Sequence, residues 1–301
     1  MNNKRRLFST VLCVAALTVG LFVSGCGSDK AGGIGSVVSS VVDGGDEKAA
    51  AKLNTLIDAT NRFNSDNASF AQFQAEGLAK LKGGFAEGAI TNQPHFDRLQ
   101  ADLEKAKKEG STFKEVDAER DNVLNILNEL VPVYKDLTAY DDSKAYMNDG
   151  GAKGKELAAK YVAAVEKFDA AYAKFNEVLN KVNAEQSKKQ IEKLKKDGKK
   201  GYAAAMESTL RLTTLVDNLE KAPQKADKAA VEKELSEIEA LLKSINNDRG
   251  QVLADRYNSV VGDVRQVLAD PSDNNLNNMI EGFNGYIDTY NSTTPDQFDA
   301  K

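Results

Sequence analysis

The run Leu157, Tyr161, Val165, Phe168, Tyr172, Phe175, Leu179, Val182 steps by 4, 4, 3, 4, 3, 4 and 3 residues. An α-helix turns once in about 3.6 residues, so this spacing draws one apolar stripe along a single long helix. Two further runs, Val231-Leu235-Ile238-Leu242-Ile245 and Leu253-Tyr257-Val260-Val264-Val267, each step 4, 3, 4, 3. Each stripe must be buried against another element, and no stretch alternates with period two for long enough to make a strand. The expected fold is all-α, an elongated antiparallel helical bundle. Composition agrees, with no Trp, only 5 Pro, and a preponderance of Ala, Lys, Glu and Leu, which favour helix.

Gly, Pro and polar clusters punctuate the pattern. A first helix is expected over about 47–64, with Leu53, Leu56, Ile57 and Phe63 inward, then a weaker one over about 69–85. Pro94 reopens helix to about Lys108, and Glu109-Gly110-Ser111 breaks it. The element over about 112–140 carries Val123, Leu127, Leu130, Tyr134 and Leu137; Pro132 either kinks it or starts a new helix. After the turn Asn148-Asp149-Gly150-Gly151 come helices over about 153–196, from Gly198–Gly201 to Lys221, and over about 228–269. Pro271 cuts the last of these, and Ser272 or Asp273 caps a final helix to about Asn291. An intermolecular coiled coil would show similar spacing, but every stripe here has a neighbour within the same chain, which favours an intramolecular bundle.

The N-terminus reads differently. Met1 to Arg6 is short and basic, Leu7 to Val23 is almost wholly apolar, and Val23-Ser24-Gly25-Cys26 closes the segment. These are the parts of a signal peptide. A transmembrane helix would need a similar length, but Ser24 and Gly25 let an extended chain enter a peptidase, and Cys26 offers the thiol that a diacylglyceryl transferase modifies. The four residues resemble the bacterial lipobox. The expectation is a lipoprotein cut before Cys26 and held to a membrane by the lipid on that residue. Gly27 stands where an Asp resembles an inner-membrane retention signal in Gram-negative lipoproteins, so by that analogy the destination is the outer membrane. Residues 28–46 are rich in Gly and Ser and read as a flexible tether with a reach of roughly 25 Å; Val37-Val38 and Val41-Val42 offer a short docking turn as the alternative. The expected division is 1–25 signal peptide, 26–46 lipidated Cys and tether, 47–293 helical bundle, 294–301 tail.

Several chemistries find no residues. Cys13 leaves with the signal peptide and Cys26 carries the lipid, so no thiol remains for a disulfide, a zinc site or a nucleophile. His95 is the one histidine, in the loop-like stretch Thr91-Asn92-Gln93-Pro94-His95, too few ligands for zinc; a serine hydrolase would need it as base, and the chain has no Gly-x-Ser-x-Gly elbow. Gly150-Gly151-Ala152-Lys153-Gly154-Lys155 follows no strand and reads as a helix start, not a phosphate loop. Asp270 to Glu281 places acidic and amide residues like a calcium loop, but Asn275 replaces the required glycine and a capped helix fits better. The net charge of −5 becomes about −8 without Lys4, Arg5 and Arg6, which argues against nucleic acid. With 45 acidic residues, no single carboxylate pair is informative for glycoside hydrolysis. The most suggestive cluster is Tyr134, Tyr140, Asp141, Asp142, Tyr146 and Asp149, where phenols and carboxylates at a helix end suit a small ligand or glycan. The competing reading is amphipathic packing with phenol oxygens at the bundle's end.

The stretches Lys52-Leu53-Asn54-Thr55-Leu56-Ile57-Asp58-Ala59-Thr60-Asn61 and Tyr134-Lys135-Asp136-Leu137-Thr138-Ala139-Tyr140, the latter running on through Tyr146 to Lys153-Gly154-Lys155-Glu156-Leu157, resemble the YiiG-like lipoproteins, as does the terminal Tyr290-Asn291. One departure is Leu56, where that family's opening pair has a tyrosine. The resemblance implies an all-helical envelope lipoprotein and brings no catalytic residues. The expected function is a non-enzymatic, membrane-anchored binding or scaffold protein without a cofactor, whose partner is an envelope protein or glycan. A receptor using the Tyr134–Asp149 region ranks second and a hydrolase third.

Overall fold

The structure, a computed structural model, describes residues 44–300 apart from Ser69, Asn92, Ser111 and Thr112. The expected signal peptide, Cys26, Gly27 and the expected tether as far as residue 43 lie outside the described residues. Helices account for every regular element among those described, and no strand occurs. None of these helices is long and apolar enough to cross a membrane. The chain divides into two compact units, Lys48–Val182 and Asn183 onward.

The first unit holds α1 (Gly44–Ala68), α2 (Ala71–Lys82), α3 (Phe96–Glu109), α4 (Lys114–Asp142), the single turn α5 (Tyr146–Asp149) and the first part of α6 (Ala152–Lys196). Antiparallel register is visible in side-chain pairs that step in opposite directions. Thr55 and Arg62 of α1 meet Glu109 (3.1 Å) and Asp102 (3.0 Å) of α3. Glu119 and Glu129 of α4 meet Lys174 (2.5 Å) and Lys167 (3.9 Å) of α6. Such exposed ion pairs add little stability; the apolar stripes hold the unit together. Every member of the Leu157–Val182 run is buried, as are Leu53, Leu56, Ile57 and Phe63. Phe63 lies 6.1 Å from Phe96, 5.8 Å from Phe168 and 5.3 Å from Tyr172, ring centre to ring centre, mostly edge to face, an arrangement that adds to simple burial. α4 runs unbroken through Pro132, whose ring faces solvent.

The second unit begins with the end of α6 and continues with α7 (Lys200–Lys221), a 3-10 turn (Pro223–Lys225), α8 (Lys228–Lys243), α9 (Asp248–Ala269), α10 (Asp273–Asn291) and α11 (Pro295–Phe298). Where the periodicity leads one to expect a single helix over 228–269, the structure breaks it at 244–247. The cause is local hydrogen bonding. Ser244 donates its hydroxyl to Leu241 O (2.6 Å), and Asn247, extended at φ −155°, accepts from Gly250 N (2.9 Å) as the cap of α9. The stripes continue on both sides of the break, so both halves still face the core.

The residues expected to form a tail are packed. Phe298 of α11 is buried and stacks between Tyr202 (6.1 Å) and Tyr290 (6.0 Å). Asn247 donates to Gln297 O, Phe298 O and Ala300 O, and Asp299 accepts from Gly201 N at 2.7 Å. A Cβ at Gly201 would lie 2.0 Å from Phe298 O, so this segment approaches α7 as closely as glycine permits.

Candidate functional site

The Tyr/Asp cluster forms two groups. Tyr134, half-buried on α4, has Phe96 (6.4 Å) and Tyr161 (6.2 Å) as ring neighbours. Tyr140, Asp141, Tyr146 and Asp149 gather around the α4–α6 connection, where Lys144, Gly150 and Gly151 take left-handed backbone angles that turn the chain. Asp142 is exposed. Tyr140 is buried and donates to Asp149 Oδ1 at 2.6 Å. The same carboxylate accepts from Gly151 N (2.9 Å) and Lys153 N (3.1 Å), so it closes the N-terminus of α6. The phenol's hydrogen bond, with those backbone amides, lowers the Asp149 pKa, while burial and then the carboxylate raise that of Tyr140.

Sequence reasoning missed three members of this group: Phe85, Glu87 and Gly88, all on the segment joining α2 to α3. Phe85 lies edge-on to Tyr140 at 5.1 Å and tilted to Tyr146 at 5.4 Å. Glu87 takes the Tyr146 hydrogen bond, which together with burial pushes that phenol up to about 12. Gly88 N donates to Asp141 Oδ2 at 2.9 Å, while Asp141 Oδ1 lies buried without a hydrogen-bond partner among the described residues. Gly154, one turn into α6, is filled from above, for a Cβ there would sit 2.5 Å from Tyr140 Cε1 and 2.6 Å from Phe85 Cγ. The rings therefore pack on one another and on the helix backbone.

The second unit contains an open cleft of about 510 Å3 between the C-terminal half of α7 and the start of α8. Leu215, Leu219 and Val231 are buried at its floor, with Ala222, Ala226 and Ala230 beside them. Thr214, Asn218, Lys225 and Asp227 supply polar groups, and Arg211 with Glu234 stands at the end away from the turn. Arg211 donates to both oxygens of Glu234, from Nε at 2.7 Å and Nη2 at 2.8 Å, and reaches Glu237 as well. These hydrogen bonds raise the guanidinium pKa further and lower that of Glu234. Nothing in the periodicity announces the cleft. Its one trace is that small side chains, Ala222, Ala226 and Ala230, occupy the stretch before the Val231 stripe.

The other candidates take ordinary places. His95 is exposed and precedes α3, its backbone N–H donating to Asn67 Oδ1 at 3.3 Å. Gly150 and Gly151 form the turn before α6. Asp270 to Glu281 spans the end of α9 and the first half of α10, where Ser272 accepts from Asn275 N and Asn275 donates to Asp270 O (2.8 Å). Among the described residues no three His, Cys, Asp or Glu side chains are grouped so as to hold a metal ion.

The chain matches the family described as "Protein of unknown function (DUF3829)" over residues 47–251. No curated protein and no solved structure matches the chain. The match covers all of the first unit and the second as far as the start of α9. Its description does not carry the YiiG-like name. With more than half of its length matched, the chain belongs to this uncharacterised family, whose helical domain has no assigned activity.

Proposed function

We propose that the chain is an exported, YiiG-like lipoprotein, lipidated on Cys26 and held at the outer membrane, and that its helical body is a non-enzymatic binding or scaffold module. The anchor rests on the Val23-Ser24-Gly25-Cys26 sequence and on Gly27. The observation that carries the binding reading is the α7–α8 cleft. Its floor is formed by Leu215, Leu219 and Val231 and its edges by Thr214, Asn218, Lys225 and Asp227, and a concavity with an apolar floor and a few polar groups is the usual form of a binding site.

One experiment addresses both parts. A photo-crosslinking amino acid is placed at Ala230 in the cleft, or at Asp142 on the opposite candidate, in chains with Cys26 intact or changed to Ala. Cells are fed an alkyne fatty acid and irradiated. The intact chain should be processed and labelled, and the Cys26→Ala chain should remain an unlabelled precursor. Specific adducts should form from position 230. A processed, labelled Cys26→Ala chain would end the lipoprotein reading, and absence of adducts from both positions would end the binding reading.

A receptor at the Tyr134–Asp149 region is the second reading. It has one observation in its favour, the buried and unpartnered Asp141 Oδ1, a group that ordinarily has a partner. Adducts from position 142 alone would support it.

A further inference from the structure

Lysine recurs at every seventh residue of α6, at 153, 160, 167, 174, 181, 188 and 195. Seven residues make nearly two helical turns, so these side chains follow one slowly drifting line along the helix. Within the first unit carboxylates take up the line: Lys160 meets Glu156, Lys167 meets Glu129 and Lys174 meets Glu119. Further on, lysines crowd. Positions 181–200 hold eight lysines and three acids, in a chain whose net charge is −5. Two of the eight are answered. Lys195 is shared by Glu192 (3.4 Å) and Glu207 of α7 (2.8 Å), and Lys199 meets Asp296 (3.0 Å), with the Asp299 charge also acting on it. Among the described residues Lys181, Lys188, Lys189, Lys193, Lys196 and Lys200 form no ion pair, and Glu185 and Asp197 are the only acids of the stretch left unpaired. Lys181, Lys188, Lys189 and Lys196 are exposed, while Asn183, Ser187, Gln190, Ile191 and Leu194 of the same helix are buried. The unanswered ammonium groups therefore share the outward face of α6.

Gly44–Glu47, the first turn of α1, falls in the same compact unit as Asn183 onward. Under the lipoprotein reading above, residues 27–43 are all that separate the lipidated Cys26 from that turn, a span of roughly 25 Å for a tether of such length. The unit that carries the lysines is thus the one held next to the bilayer. We propose that the outward lysine face of α6 over 181–196 docks on the anionic headgroups of the membrane to which the chain is tethered. Its partner is the phosphate layer of phospholipids such as phosphatidylglycerol. Clustered ammonium groups attract an anionic bilayer jointly, but the attraction fades beyond a Debye length, about 10 Å at 0.1 M salt. The tether supplies the proximity, and the lysines supply an orientation. The proposal rests on the lipoprotein reading and adds to it a face turned towards the lipid.

The test is lysine footprinting of the full mature chain. It is added from outside to vesicles of phosphatidylcholine, alone or with about one-third phosphatidylglycerol. A membrane-impermeant reagent then acetylates accessible amines, and the modified lysines are mapped by mass spectrometry. With phosphatidylglycerol, Lys181, Lys188, Lys189 and Lys196 should react about threefold more slowly, and about 0.5 M salt should restore their reactivity. Lys135, Lys153 and Lys155, exposed on the first unit, should react alike in both vesicles. A face that is merely solvated would be indifferent to headgroup charge. Equal reactivity in the two vesicles, or protection that spreads equally to the first unit, overturns the proposal. So does stronger protection by soluble dextran sulfate than by the vesicles, which would make an acidic polymer the partner. Flotation with pure phosphatidylcholine vesicles reports the anchor separately. A chain that does not float there, yet is protected at 181–196 by phosphatidylglycerol, keeps the lysine face and loses the lipoprotein reading. A chain that floats without protection keeps the anchor and loses the face.

Discussion

Asp149 accepts from one phenol and two backbone amides, so its removal strips a helix cap and leaves a buried hydroxyl without its acceptor. Asp149→Ala should therefore lower the urea midpoint measurably. Asp142→Ala, at an exposed position, should stay within about 0.5 kcal/mol. Equal losses would mean that the Tyr140–Asp149 contact holds nothing. Asp169 offers a pH test. Burial first, then repulsion from Glu166, raises its pKa from 3.8 to about 7 against a smaller opposing pull from Lys82. The fold thus prefers the protonated acid. Its contribution is full below the unfolded pKa near 4 and is lost as pH rises through 7. Asp169→Asn should melt close to the parent at pH 4 and above it at pH 8; a parent and variant that differ equally at both pH values would refute the shift. At this scale the sequence is legible only in part. The residues near one another in sequence, Tyr140, Asp141, Tyr146 and Asp149, could be grouped by inspection. Glu87 and Gly88 could not, because Gly88 meets Asp141 across 53 positions from a segment with no periodicity to reveal which way it faces.

The helices show what spacing can and cannot specify. A 3.6-residue period names the inward face, and every residue of the three long stripes is buried. It says nothing of where a helix stops if both sides of a break keep the same phase. That is why 244–247 was not legible: the interruption depends on Asn247 accepting from Gly250 N, a contact made possible by the turn itself. Pro132 was ambiguous for the opposite reason, since a missing N–H on the solvent side can be tolerated without ending a helix. The strongest element-scale expectation concerns α6. Phe168 and Phe175 are buried, while the side chains of Lys167 and Lys174 are 66% and 63% exposed. Phe168→Ala with Phe175→Ala should cost several kcal/mol, each large buried truncation typically costing about 3–5, and loosen the first unit. Lys167→Ala with Lys174→Ala removes only surface ion pairs and should cost under about 1 kcal/mol per pair. Thermal and urea melting of the two double variants separates them. Comparable small losses would mean that the stripe is not a core.

For the molecule as a whole, the helical class was readable from periodicity alone, but the division at Val182–Asn183 was not, for it falls inside α6 with no Gly, Pro or change of spacing to mark it. The packing of residues 294–300 was equally silent, because a short segment with one aromatic residue carries no period at all. That packing has a kinetic consequence. Asp299 meets Gly201 across 98 positions, and the chain between them contains α7 to α10, which pack with one another through nearer contacts. Closing so long a loop is unfavourable until those helices are in place. Phe298 should therefore dock after the rate-limiting barrier of the second unit. In stopped-flow refolding, Phe298→Ala should leave the folding arm of the chevron nearly unmoved and accelerate the unfolding arm, a φ-value near zero. A slowed folding arm would place this contact in the nucleus instead. The last piece of the chain to pack then acts as a lock on a structure already formed, setting how long the native state lasts and leaving the speed of its formation to the four helices beneath.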